Sequence, residues 1–120
     1  MRLNNKPSYH LFKNTRYAFE GLRHVWKTEK SFKFEVLAGI FIIPAIVLLD
    51  LLLWQQMVLL ITAFIVLIVE LLNSAVENVV DLVTEDFAPL AKSAKDIGAT
   101  AVMFSIILHV ICWVIFLFLT

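Results

Sequence analysis

Glycine is scarce in this chain: three in 120 residues, at Gly21, Gly39 and Gly98. So spaced, they form neither a GxGxxG turn nor a P-loop, and no glycine-rich cradle for phosphates exists. The single cysteine, Cys112, lies in an apolar run. It excludes an internal disulfide framework and a cysteine-rich metal centre. Formal net charge is zero, so no global basic field draws the chain to nucleic acid. The histidines, His10, His24 and His109, have no ligand spacing, and no Ser-His-Asp set can be assembled from them. Internal repeats and low-complexity tracts are absent. What the chain has in excess is apolar residues, at 61% of the total. A soluble domain is nearer to half apolar, so the expectation is a small integral membrane protein forming one domain over residues 1–120. The polar start, about thirty residues long, does not fit a cleavable signal peptide, which places a short apolar core near its beginning.

The hydrophobic pattern divides the chain into four helical stretches. Residues 9–27 are amphipathic, with Phe12, Phe19, Leu22 and Trp26 on one side and Lys13, Asn14, Tyr17, Glu20 and His24 on the other. Aromatic anchors flanked by basic residues describe a helix lying in the membrane interface. A charged break over residues 28–35 precedes three spans, at about residues 33–53, 56–83 and 96–119, each near the ~20 residues a crossing needs. Gly39 and Pro44 fall inside the first span, as membrane helices allow. Asp50, Trp54, Gln55 and Gln56 read as a short polar turn, and residues 84–96 as a loop with the start of the last helix. Of the ten lysines and arginines, eight lie at or before Lys33 and the others are Lys92 and Lys95. The positive-inside rule then places the N-terminus and the second loop in the cytoplasm and the C-terminus on the far side. His109, alone in its span, reads as a helix-contact residue and not a ligand.

The second span carries the chemistry. From Glu70, polar side chains recur at Asn73, Ser74, Glu77 and Asp81, offsets of three, four, seven and eleven. At 100° per residue they share roughly a 100° arc, while Leu71, Leu72, Val76, Val79, Val80 and Val83 make the rest aliphatic. A carboxylate at membrane depth costs on the order of 3 kcal/mol, so an acidic stripe there is a functional-site candidate. Hard oxygen ligands such as Glu29 and Glu77 suit Mg²⁺, which takes one or two carboxylates plus substrate phosphates. Lys95 can offset phosphate charge. Glu70 lies seven residues from Glu77, about 10 Å deeper, a place that suits a proton acceptor for a lipid hydroxyl. A proton or cation pathway would use the same residue types.

At these residues a resemblance becomes visible. The stretch Glu70-Leu-Leu-Asn73-Ser74-Ala-Val-Glu77-Asn-Val-Val-Asp81, followed by Ala94-Lys95-Asp96-Ile-Gly98, resembles the prokaryotic diacylglycerol kinase family. Upstream, Gly21-Leu-Arg23-His-Val-Trp26-Lys-Thr-Glu29, then Phe32 and Glu35, fits as well, so the likeness runs over nearly the whole chain. It implies an all-α homotrimer in the bacterial inner membrane, three spans and a surface helix per subunit. It implies transfer of the γ-phosphate of ATP, with Mg²⁺, to the primary hydroxyl of diacylglycerol. On the family's pattern Glu70 is the proton acceptor, Glu29 and Glu77 carry the Mg²⁺ and meet the nucleotide, and Asn73 and Asp81 support the site. ATP contacts fall on His10, Tyr17, Asp86, Phe87, Ala88, Lys95 and Asp96. Lipid contacts fall on Asn14, Thr15, Arg16, Tyr17, Ala18 and Phe19 and on Arg23, His24, Val25 and Trp26. Further along they fall on Ser31, Phe32, Lys33, Phe34 and Glu35, then on Leu48, Leu49, Asp50 and Leu51. Gln56, Glu70, Ala99, Trp113, Val114, Ile115, Phe116, Leu117 and Phe118 complete the set. His10 and Gln56 stand where the enterobacterial form has arginine, which weakens a phosphate-side and a headgroup contact respectively. Residues 86–88 also differ in type, so their contacts run through backbone.

Three readings follow: this lipid kinase or its undecaprenol-phosphorylating sibling, a proton-coupled transporter using the acidic stripe, and a packing subunit whose stripe only binds partners.

Overall fold

The computed structural model describes residues 11–120. Tyr9 and His10, expected at the start of the surface helix and, for His10, at the nucleotide, lie outside the described residues. All described elements are helical: α1 (Leu11–Thr28), α2 (Lys30–Leu48), α3 (Leu53–Val83) and α4 (Pro89–Val114), the last continued by a π turn over Ile115–Leu119. Three helices are long and apolar enough to cross a membrane, Lys30–Leu48, Leu53–Val83 and Pro89–Leu119. The chain is an all-α membrane protein. α3 is the hub, with α4 packed along it and α2 on another side, while α1 packs on α2.

α1 buries only Val25. Its Phe12 and Phe19 are exposed and its Leu22 and Trp26 nearly half exposed, as a helix lying in lipid headgroups requires. One extended residue, Glu29, separates α1 from α2. The charged break expected over residues 28–35 is therefore confined to Glu29, and residues 30–35 already belong to the first crossing helix. Their charges gave no apolar period, but Lys30, Ser31, Lys33 and Phe34 are exposed at this end of the helix.

The first span ends earlier than expected, at Leu48 and not near 53. The second starts at Leu53, so Trp54, Gln55 and Gln56 form its opening turn. The reason lies in the free backbone groups that helix ends expose. Gln55 Oε1 accepts from the Leu52 N–H at 3.0 Å, and Gln56 Nε2 donates to the Ile46 carbonyl at 2.9 Å. The two glutamines cap both helix ends and let residues 49–52 turn back inside an apolar layer. The third crossing helix starts at Pro89, seven residues before the expected 96. Proline suits a first helical position, because its missing N–H would find no partner there. The loop is thus confined to residues 84–88, and Lys92 and Lys95 join Asp96 on the helix.

The interior is more polar than the outside. Among the described residues, Val25, Phe32, Ile46, Leu59 and Val66 are the buried apolar ones, and Gln55, Thr62, Glu70, Ser74, Ser105 and His109 are buried beside them. On α3 the buried positions are Gln55, Leu59, Thr62, Val66, Glu70 and Ser74, steps of three and four along one face. The acidic stripe is the upper half of this line. Apolar side chains such as Phe64, Ile68 and Leu72 point outward, where lipid tails solvate them as well as any core does.

Candidate active site

Glu70 is the centre of the site. It is 3% exposed. Ser31, one residue into the first turn of α2, donates its hydroxyl to Glu70 Oε1 at 2.8 Å. Phe32, buried beside Ser31, holds that turn of α2 against its neighbours. Glu70 Oε2 is buried and has no partner. A buried polar atom left unpaired costs about 1–3 kcal/mol, so native proteins keep few of them.

One turn toward the C-terminal end of α3, Asn73 Nδ2 donates to Glu77 Oε1 at 3.0 Å. Its Oδ1 presses on Gly98 of α4, where an added Cβ would overlap it. An alanine at 98 would have to push the Asn73 amide aside. Asn73 Oδ1 and the buried Ser74 Oγ also lack partners. Farther out, Lys95 Nζ donates to Asp81 Oδ1 at 2.7 Å and joins α4 to α3. Lys92 pairs with Asp96 a turn away.

Glu29, half-buried between α1 and α2, faces the same acidic cluster. Burial holds its carboxyl above the usual range, the charges of Glu77 and then Glu70 raise it further, and His24 opposes them. These carboxylates repel, and a divalent cation would turn that repulsion into binding. Among the described residues no three His, Cys, Asp or Glu side chains converge to hold a metal alone. Mg²⁺ does not need them, since it binds through one or two carboxylates together with phosphates. Glu29 and Glu77 therefore fit a divalent ion whose other ligands come from outside the chain.

Two openings flank the cluster. Asp86, Phe87, Ala88, Lys95 and Asp96 line one polar hollow of about 350 Å³, with Lys92 at its wall. An apolar groove of about 770 Å³ runs between α1, α2 and α3, lined by Phe19, Arg23, Trp26, Phe32, Phe64 and Leu71 among others. Tyr17 is not in the hollow; it is half-buried on α1 with the Arg16 guanidinium over its ring at 5.5 Å. Asn14, Thr15 and Ala18 are exposed beside it. Val25 is buried under the groove, His24 and Phe34 are exposed, and Lys33 lies over the Trp26 ring at 5.9 Å.

The remaining lipid candidates sit elsewhere. Leu48, Leu49, Asp50, Leu51 and Gln56 cluster at the far end of α2 and α3, at least ~20 Å along α2 from Glu35. Trp113 to Phe118 lie at that same end of α4. Gln56 is engaged on Ile46, Trp113 Nε1 donates to His109 Nε2 at 3.0 Å, and Phe116 stacks edge-on to Trp54. Ala99 is exposed on α4 next to Gly98.

Reading residues one at a time missed three features. Glu35 stands beside Glu70; the signal was its i,i+4 spacing from Ser31. Gly98 leaves room for the Asn73 amide, signalled only by its being the lone glycine of α4. Thr62 and Gln55 extend the polar line of α3 downward at the same spacing.

A buried carboxylate with a polar hollow and an apolar groove on neighbouring helix surfaces marks the candidate site of a small helical membrane protein. The profile of the family described as prokaryotic diacylglycerol kinase matches residues 16–117. The chain belongs to that family. It is 36% identical over 115 residues to the diacylglycerol kinase of Escherichia coli K12, covering 95% of this chain and 94% of the relative. It is 41% identical over 97 residues to that of Synechocystis sp., covering 80% and 55%. It is 33% identical over 105 residues to that of Helicobacter pylori, covering 86% and 80%.

Proposed function

We propose that this chain transfers the γ-phosphate of ATP to the primary hydroxyl of diacylglycerol, forming phosphatidate at the cytoplasmic face of a bacterial inner membrane. The observation that carries this reading is Glu70: buried, oriented by Ser31, and with one oxygen free to accept a proton. The lipid slides in from the bilayer along the groove of Phe19, Trp26 and Phe32 and brings its hydroxyl to Glu70 Oε2. Glu70 takes the hydroxyl proton as the oxygen attacks phosphorus. Phosphate charge is met by Lys95 at the hollow, where backbone of residues 86–88 meets the nucleotide, with Tyr17 of α1 a further nucleotide contact outside the hollow. Glu29 and Glu77 hold Mg²⁺, with Asn73 fixing Glu77; when bound, the ion neutralises charge on the phosphates. With no phosphate loop, catalysis rests on such positioning, which phosphoryl transfer mainly demands.

Leu48 to Leu51, Gln56 and Trp113 to Phe118 lie too far from Glu70 to touch the reacting hydroxyl, and in this reading they meet lipid tails. Lysine and arginine placement supports a cytoplasmic N-terminus and second loop and a periplasmic C-terminus. Three spans do not enclose both substrates, so the reading includes a homotrimer with sites between subunits. The test is phosphate transfer by the purified chain in mixed micelles with MgATP and either diacylglycerol or undecaprenol. Labelled phosphatidate is the expected product. Equal or faster labelling of undecaprenol would replace the acceptor, and ion flux in liposomes without ATP use would replace the kinase by a transporter.

A further inference from the structure

Glu35 is not used by the mechanism above, and its surroundings are incomplete. It lies one turn deeper than Ser31 on the same face of α2. Ser31 meets Glu70 directly, so α3 faces Glu35 at the level of Glu70 and Val66. The two carboxyl groups stand within hydrogen-bonding reach of one another. Each has a buried Oε2 with no donor. The nearest hydroxyl, Ser31, is committed to Glu70 Oε1, and Ser74 Oγ makes no hydrogen bond.

Carboxylates only accept hydrogen bonds. Two that face each other in a dry site cannot both be ionised without leaving their oxygens bare and their charges opposed. Other charges nearby do not solve this. Glu29 from the α1–α2 junction and Glu77 from α3 add negative charge. Lys95 of α4 is occupied by Asp81, and Lys33 points to Trp26. His109 of α4 lines the same cavity as Glu35, but Thr62 and Trp113 engage both of its ring nitrogens.

We infer that Glu35 and Glu70 form a proton-sharing pair, with the proton resting on Glu35 and donated to one lone pair of Glu70 Oε2, whose second lone pair stays open to the lipid hydroxyl. Glu35 is then a positioning residue. With Ser31 on the other oxygen, it fixes the Glu70 carboxylate and keeps it ionised and ready. When the lipid hydroxyl gives its proton to Glu70, the O–P bond forms, the bond from the γ-phosphorus to the β–γ bridging oxygen breaks, and the pair holds two protons. One then leaves through Glu35, the less buried of the two, to solvent, which restores the resting state without moving Glu70.

This inference rests on Glu70 being the proton acceptor, and its test has one arm that needs no turnover. Infrared spectra of the purified chain at neutral pH with MgCl₂ should show a protonated-carboxyl band. The band should vanish in Glu35→Gln and in Glu70→Gln and persist in Asp81→Asn. A wild-type chain without the band, or a band unchanged in Glu35→Gln, overturns the pair. In the second arm, Glu35→Gln keeps a donor on Glu70 and should retain activity within about tenfold, whereas Glu35→Leu should lose about 100-fold or more. Wild-type kcat/KM should fall at high pH, where the shared proton is lost, and Glu35→Gln should abolish that fall. Full activity in Glu35→Leu overturns the inference. A band that behaves as expected in a chain that transfers no phosphate supports the pair and refutes the kinase reading instead.

Discussion

Two polar regions lie inside this membrane protein, and they are built on opposite principles. Toward the far end of the spans, His109 Nδ1 bonds Thr62 Oγ1 at 2.7 Å, while Trp113 donates to Nε2. Because Nε2 accepts, Nδ1 carries the proton, and Thr62 passes its own to the Val58 and Leu59 carbonyls. Every donor there has an acceptor. Around Glu70 the account does not close: Glu35 Oε2, Glu70 Oε2, Asn73 Oδ1 and Ser74 Oγ are all buried and unpartnered. A satisfied buried network fixes two helices in one register. An unsatisfied one is costly unless something else completes it: here the proton inferred between Glu35 and Glu70, and beyond it the substrate. The same residue types thus serve structure at one end and chemistry at the other, separated only by whether their hydrogen bonds are already spent.

Breaking the open region should remove function and leave the fold. Glu70→Gln should lower phosphate transfer by about 10²–10⁴-fold, the usual share of a general base, with the thermal unfolding profile unchanged; retention of activity would remove Glu70 from that role. Gly98→Ala forces Asn73 off Glu77, so the rate should fall by up to about 100-fold, as small misplacements do. A raised Mg²⁺ requirement should accompany it, measured by titration of activity with MgCl₂. Breaking the closed region should do the reverse. Thr62→Val strands the His109 N–H in the membrane and should cost about 1 kcal/mol of stability, measured by denaturation in detergent, with kcat unaffected. A loss of kcat there would erase the distinction between the two ends.

The smallest expected effect sharpens the comparison through pH. Burial and the acidic neighbours hold the folded Glu29 carboxyl above its ordinary value of 4.5, so the folded chain binds that proton more tightly than the unfolded chain. Its stabilising share is complete below 4.5 and is lost as pH rises through the folded value. Without Mg²⁺, Glu29→Gln should therefore unfold at a higher temperature than wild type at neutral pH, and the gap should close as pH falls toward 4.5. Mg²⁺ should stabilise the wild type more than the variant. A variant less stable than wild type at neutral pH would show that Glu29 is held by favourable contacts and not by a strained acidic field.

The number of spans, their order and the face of α3 that carries Glu70, Asn73, Ser74, Glu77 and Asp81 were legible in the chain alone. Each depends on hydrophobic period, which is local. The ends of the helices were less so, because Gln55, Gln56 and Pro89 act by capping backbone groups and leave no apolar trace. Which side chains the stripe bonds to was not legible from its pattern. Ser31 and Glu35 come from 39 and 35 positions before Glu70, and Gly98 from another helix again. Periodicity tells which way a side chain points from its own axis. What it meets there depends on the rotation and height of the neighbouring helices, and those follow from packing of residues distant in the chain.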